Sequence, residues 1–383
     1  MKKKVIRITT VPLSLDIFCR GMLKELSDEY EVVAVSSPGP LLDEVSEREG
    51  VRTVAVPMQR RPAPLRDLVS LARLTVLFLR ERPDMVHSMT PKAGLLAMMA
   101  ARMARVPVRL HTFTGLVFPY VRGWKHALYK CTDRLTAACA THLIPEGEGV
   151  KADLISFGIT KKPLEVLGHG NVRGIDLRHY DRTPEVMAGA ASLRERFGIG
   201  PDALTFIFVG RFDADKGLRE LLWAFTHLKE SFRNVHMLLA GGTEEGTPPL
   251  SPELMDMMET CASIHVSDGW VGDVRPWLAA ADVLVHPSYR EGFPNVVIEA
   301  GAMGLPSVVT DINGSREIIS EGVNGLIVPP GSALSLYSAM KRFAESPSLS
   351  SELAGNARRM VAERYEQGYV RACLRAYYQS ILQ

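Results

Sequence analysis

Residues 283–311 read VLVHPSYREGFPNVVIEAGAMGLPSVVTD. A β-branched run at 283–286 gives way to a polar loop, a helical pattern over 295–303, a break at Gly304 and Pro306, and a second β-branched run at 307–310. Two short apolar strands joined through a helix form a parallel βαβ unit, because parallel neighbours can be reached only by a crossover. The same alternation continues in both directions. Around it, strands are expected at 204–209, 236–240, 264–266 and 325–328, with helices at 217–231, 252–261, 274–279 and 334–345. The first half predicts strands at 4–9, 31–36, 52–56, 85–87, 108–112, 142–144 and 165–167, with helices such as 15–26, 65–80, 92–102 and 124–139. The expected class is α/β, two Rossmann-like doubly wound domains whose strand ends meet at a central cleft.

A chain of 383 residues has room for two such domains, each with its own core. The Gly-rich stretch GHGNVRGID at 168–176 and the polar, Ala-rich segment after it mark the boundary. The expected domains are 1–170 and 171–365, with a last helix at 366–383 that no strand follows. A content of 46% hydrophobic and 23% charged residues excludes disordered and collagen-like chains. Five dispersed cysteines without a CxxC pair fit a reducing cytoplasm and argue against structural zinc. The opening MKKKVIRITTVPLSL has the lysines of a signal peptide, but Arg7 interrupts its apolar run. The apolar run 74–79 is far short of the ~20 residues that span a bilayer. Residues 1–170 carry 25 Lys+Arg against 17 Asp+Glu, and the remaining 213 carry 20 against 26. A +8 half joined to a −6 half points the first towards something anionic, unless surface charge has simply drifted.

Chemistry in an α/β sheet sits in the loops after the strands. In FIFVGRFDADKGLRELLWAF, residues 206–225, Arg211 follows the strand-ending Gly210 and Lys216 stands at the start of a helix. A planar fork and a point charge beside a helix amino terminus suit a diphosphate. The alternative is pairing with Asp213 and Asp215. Those two aspartates have the spacing of a metal site, but the flanking cations compete with a metal, and no metal is expected. In the opening segment, Glu291 lies in the loop and Glu299 just over one turn inside the helix, with Pro294 suited to its first turn. Two acceptor-only carboxylates at different heights can hold two polyols of one extended ligand, a sugar and a ribose. The N–H groups of Phe293, Pro294's neighbours Asn295 and Val296 could serve the oxygens between. Helix-dipole decoration is the alternative for Glu291, and a plain surface position for Glu299.

The string REGFPNVVIEAGAMGLPSVVTD, preceded by GRFDADKG and GWVGDVRPWLAAADVLVHPS, resembles the family 4 retaining glycosyltransferases of GT-B fold, over essentially the whole chain. The resemblance implies that Glu291 binds the donor sugar and Glu299 the ribose, while Arg211 and Lys216 hold the donor diphosphate. It places the 269–273 loop along the base, with Val271 as its contact, and folds the final helix back onto the first domain. It assigns His111, in VRLHTFTG, to the transferred sugar; on the residues alone, a strand-end histidine is more often structural. His87 and the loop 10–15 stay unassigned. The strings HSMTPKAGLLAMMAAR, HTFTGLVFPY, THLIPEGEGVKADL and GHGNVRGIDLRHY are similar to enzymes that extend undecaprenyl-diphosphate-linked sugars for capsule, O-antigen or protein glycosylation, N-acetylgalactosaminyl transferases among them.

The expected activity is transfer from a UDP-linked sugar to a polyprenyl-diphosphate saccharide, with retention, by front-face substitution and without a metal. A GT-B-fold epimerase and a non-catalytic sugar-nucleotide-binding partner of a synthase are the rivals. The stretch 113–130, FTGLVFPYVRGWKHALYK, sets Phe118, Tyr120 and Trp124 among Arg122 and Lys125. It suits either an acceptor and headgroup contact at the cytoplasmic membrane face or core packing beneath a charged surface. No nucleic-acid motif is present.

Overall fold

The computed structural model describes residues 2–243 and 250–383, and the chain divides into two units. Unit 1 comprises Met1–Gly174 with Gly368–Gln383, and unit 2 comprises Ile175–Gln367. The boundary differs slightly from the expectation. Residues 171–174 stay with unit 1, where the Asn171 N–H donates to the Glu146 carbonyl at 2.8 Å. Residues 366 and 367 stay with unit 2, where the Gln367 N–H donates to the Ile175 carbonyl at 3.0 Å.

Unit 1 runs β1 (Lys4–Ile8), α1 (Pro12–Cys19), α2 (Met22–Glu29), β2 (Glu31–Ser36), α3 (Pro40–Glu49), β3 (Arg52–Ala55), α4 (Pro64–Glu81), β4 (Met85–Ser88), α5 (Pro91–Met103), β5 (Val108–Phe113), α6 (Trp124–Cys139), β6 (His142–Pro145) and α7 (Glu148–Ser156). Its six parallel strands are ordered β3-β2-β1-β4-β5-β6. The expected strand at 165–167 does not form. Leu164 and Leu167 there anchor an irregular chain to two separate hydrophobic clusters, so their apolar spacing reflects burial rather than pairing. The expected helix 15–26 is two helices. Gly21 separates them at φ +72°, against the Arg371 guanidinium, which a Cβ at that position would meet at 2.4 Å.

Unit 2 runs α8 (Pro184–Arg196), β7 (Leu204–Arg211), α9 (Leu218–Ser231), β8 (Val235–Gly242), α10 (Pro252–Thr260), β9 (Ile264–Val266), α11 (Arg275–Ala279), β10 (Val283–His286), α12 (Asn295–Ala302), β11 (Ser307–Thr310), α13 (Ser315–Ile318), β12 (Gly325–Val328), α14 (Ala333–Glu345) and α15 (Pro347–Tyr365). The Ala-rich segment is α8. The sheet order β12-β11-β10-β7-β8-β9 repeats the connectivity of the first, all parallel. Strands covered on both faces need apolar residues on both, which explains continuous runs such as VLVH and SVVT.

The chain then returns to unit 1 as α16 (Gln367–Ile381). Leu374, Tyr378 and Leu382 join the cluster that contains Val5, Leu15, Leu23, Leu26 and Ala34. Tyr378 also closes a buried polar group. The Arg7 guanidinium donates to the Tyr378 hydroxyl at 2.7 Å and to His87 Nδ1 at 2.9 Å, and the other ring nitrogen of His87 meets the Thr112 hydroxyl at 2.7 Å. Burial, then the Arg7 charge, push the His87 pKa well below its ordinary value. His87 is therefore a neutral structural residue of the sheet.

Candidate active site

The groups expected to hold a nucleotide sugar gather where β7 and β10 end in unit 2. β7 terminates in Gly210 and Arg211, followed by a turn whose Asp213 caps it, accepting the Asp215 N–H at 3.0 Å. The Arg211 guanidinium also reaches Asp213, at 3.2 Å. Lys216 precedes Gly217, from which α9 starts. From the other side, the loop after β10 brings Glu291 to Lys216, and the two form an ion pair. The carboxylate oxygen that meets Lys216 also receives the Ser288 hydroxyl at 2.8 Å and His286 Nε2 at 3.2 Å. Burial alone would raise the Glu291 pKa. The His286 hydrogen bond and the Lys216 charge outweigh it and hold the carboxyl well below the usual range.

The structure thus unites Lys216 and Glu291, residues 75 positions apart, and puts Arg211 in the same turn as Lys216. Glu299 lies half-buried on α12, the helix that this loop enters. Pro294 is the N-cap of α12 rather than part of its first turn, so Asn295 and Val296 open the helix. Phe293 is a core residue, edge-on to Tyr365 at 5.6 Å, and can meet a ligand only through its backbone. Val271 is half-buried on the loop after β9 and packs on the core of unit 2. The same loop is pinned by Ser267, whose hydroxyl lies 3.0 Å from both the N–H and the carbonyl oxygen of Gly241.

Sequence reasoning gave no role to Gly241, Ser267, His286, Ser288 or Arg290. Gly241 lets the ends of β7 and β8 approach, since a Cβ there would lie 1.9 Å from the Gly210 carbonyl oxygen. A Gly-Gly pair directly after a strand was the available signal.

Unit 1 holds the other expected residues. His111, near the end of β5, is buried under Gly94 of α5, where a Cβ would lie 2.3 Å from the ring. Its Nδ1 lies 2.8 Å from the Ser88 hydroxyl. Burial lowers its pKa to about 3, leaving the imidazole neutral at physiological pH. The unfolded chain binds a proton below pH 6.5 that the folded His111 refuses until about pH 3, so folding stability is full above pH 6.5 and declines through that interval. Buried His87 adds in the same direction. Thermal unfolding followed across pH should show the midpoint falling steadily on acidification below 6.5; a flat profile there would contradict the buried neutral histidines.

The 113–130 stretch divides. Phe118 is fully buried, edge-on to Phe157 and His126, which corrects its assignment as an acceptor or membrane contact. Aromatic residues serve cores and interfaces alike, and composition does not separate the two. Tyr120, Arg122, Trp124 and Lys125 are exposed.

Comparison with known proteins gives consistent matches. The family model "Glycosyl transferase 4-like domain" matches residues 17–170, and "Glycosyl transferases group 1" matches 203–346. The capsular polysaccharide biosynthesis glycosyltransferase CapM of Staphylococcus aureus is 28% identical, over 99% of this chain and 98% of its own. An Escherichia coli UDP-Gal:α-D-GlcNAc-diphosphoundecaprenol α-1,3-galactosyltransferase is 27% identical, over 89% and 88%. Among solved structures, Anabaena HepE in complex with UDP superposes with a TM-score of 0.81 at 18% identity, over 99% of this chain and 100% of that one. WaaG, a glycosyltransferase of lipopolysaccharide biosynthesis, gives 0.70 at 17%, over 96% and 98%. With matches in both units, relatives aligned nearly end to end and the doubled six-stranded parallel fold, the chain belongs to the family 4 glycosyltransferases of GT-B fold.

Proposed function

We propose that this glycosyltransferase moves a sugar from a UDP-sugar, with retention of configuration, to a saccharide carried on undecaprenyl diphosphate during bacterial surface-polysaccharide synthesis. The observation that carries the reading is the Lys216–Glu291 pair, which sets a cation and a ring-gripping acid side by side at the ends of β7 and β10. Lys216 and Arg211 hold the diphosphate and stabilise its growing charge as the glycosidic bond breaks. Glu291 accepts from sugar hydroxyls and Glu299 from the ribose. The family resemblance assigns neutral His111 of unit 1 a hydrogen-bonding role towards the transferred sugar. Because one oxygen of Glu291 is engaged by Lys216, His286 and Ser288, its carboxylate is read as a hydroxyl acceptor and not as a nucleophile. The reaction is then attack by the acceptor on the leaving-group face, with the departing phosphate taking the proton. One relative supports the acceptor class, the Escherichia coli galactosyltransferase that acts on a diphosphoundecaprenol-linked GlcNAc.

No metal enters this reading. Asp213 is engaged by Arg211 and a backbone N–H, and Asp215 by Arg290 at 2.5 Å, so both carboxylates already have cationic or N–H partners. A panel of UDP-sugars, assayed for UDP release with and without polyprenyl-diphosphate saccharides, tests the function. Release should require one donor and an acceptor, and should persist in excess chelator. Isomerised donor without acceptor would mark an epimerase; dependence on Mg²⁺ or Mn²⁺ would reinstate the aspartates as metal ligands.

Peripheral attachment to the cytoplasmic membrane face belongs to the same proposal. No helix among the described residues is long and apolar enough to cross a membrane. The support is α4, which exposes Leu65, Leu68, Val69, Val76 and Leu79 beside Arg66, Arg73 and Arg80. Apolar residues beside a row of cations match an anionic headgroup layer. Co-sedimentation with liposomes should need anionic lipid and weaken as salt rises; binding indifferent to both would remove this attachment.

A further inference from the structure

We infer that Ser288, together with the Asp215–Arg290 ion pair, forms a clamp that fixes Glu291 relative to Lys216. These three are positioning residues for sugar transfer, and the inference rests on the function proposed above. The loops that carry Lys216 and Glu291 belong to no common element, so contacts across them must set their spacing. Two residues of the Glu291 loop bond to Asp215. Its carbonyl oxygen accepts the Tyr289 N–H at 2.8 Å, while its carboxylate holds Arg290 through Nε at 2.7 Å and Nη2 at 2.5 Å. Ser288 is fully buried, and the Thr310 hydroxyl donates to its carbonyl oxygen at 2.5 Å, which anchors the segment to β11.

From that fixed position the Ser288 hydroxyl reaches Glu291 Oε1 at 2.8 Å, the shortest of its three acceptor distances. Its single proton therefore goes to the carboxylate, where a charge-assisted bond is strongest. Lys216, His286 and Ser288 all meet the same oxygen, Oε1. Glu291 Oε2 has no hydrogen-bond partner among the described residues and is the oxygen left for a sugar hydroxyl. When a diphosphate draws Lys216 towards itself, Ser288 and His286 keep Oε1 in place. The carboxylate then stays aimed while the ammonium changes partner. Misplacement by about 1 Å can cost on the order of 100-fold in rate, so holding these two groups in register has direct catalytic weight.

The experiment compares Ser288→Ala, Ser288→Thr and Asp215→Asn with the unaltered enzyme, using UDP as a binding probe and the UDP-sugar selected by the donor panel for turnover. Ser288→Ala acts on the sugar side alone. UDP affinity should stay within about twofold, while kcat/KM for the UDP-sugar falls about tenfold or more. Ser288→Thr, which keeps the hydroxyl, should recover most of that loss. Asp215→Asn loosens both loops and should weaken UDP binding and turnover together. Unchanged kcat/KM in Ser288→Ala would overturn the clamp. So would equal losses in UDP affinity, turnover and unfolding midpoint, the pattern of general destabilisation. Lys216→Ala and Glu291→Gln separate this from the parent reading: full activity in both would end the proposed function, whereas large losses there beside a silent Ser288→Ala would end only the clamp.

Discussion

Lys216→Ala should lower turnover by about 100-fold or more, the scale on which removing one preorganised donor acts at a site of developing charge. Two effects add. The ammonium that stabilises the leaving diphosphate is gone, and the Glu291 carboxylate loses the charge that helps hold its pKa down. An acid without its cation repels an incoming diphosphate, so donor KM should rise as kcat falls. Lys216→Arg restores charge but not the compact ammonium, and should recover activity only in part. Steady-state kinetics on the purified variants is the measurement, with UDP release as the signal. Wild-type turnover in Lys216→Ala would remove this residue from the reaction.

Gly217→Ala should be equally damaging from a position that touches no substrate. Gly217 is left-handed at φ +69°, and a Cβ there would lie 2.2 Å from the Pro287 carbonyl oxygen and 2.9 Å from its carbon. That neighbour is backbone and cannot rotate away. Either α9 or the Pro287–Ser288 segment must shift, and the two loops that meet through Lys216 and Glu291 separate. Left-handed strain costs about 1–2 kcal/mol before any clash is counted. The unfolding midpoint should therefore drop by several degrees, with UDP binding lost in parallel. A variant with the wild-type midpoint and UDP affinity would show that the close approach does not exist in solution.

The βαβ plan was legible because doubly covered parallel strands leave an unmistakable trace of β-branched runs, and VLVH and SVVT show it plainly. The placement of Arg211, Lys216 and Glu291 could be anticipated, since the loops after parallel strands are where an α/β sheet collects its polar groups, and the helical pattern put Glu299 on the following helix. Ser288 and Arg290 were not legible as a clamp. The Asp215 that holds Arg290 lies 75 residues away, and no spacing rule encodes contacts made across two loops. Apolar spacing misled at 165–167, where it anchors irregular chain. The helix at 15–26 looked continuous because nothing nearby in sequence announces Arg371, the side chain that fills the space beside Gly21. Phe118 went astray for a different reason, as its ring is equally at home in a core or a headgroup layer.

The return of α16 to unit 1 has a consequence for biosynthesis. A ribosome delivers Arg7, His87 and the apolar residues around Leu23 long before Tyr378 and Leu374, the groups that complete their surroundings. Unit 2 is continuous in sequence and can close during translation, whereas unit 1 must wait, with part of its greasy interior open, for the final helix to emerge. Chaperone dependence of the nascent chain should therefore be greatest for the half that is made first.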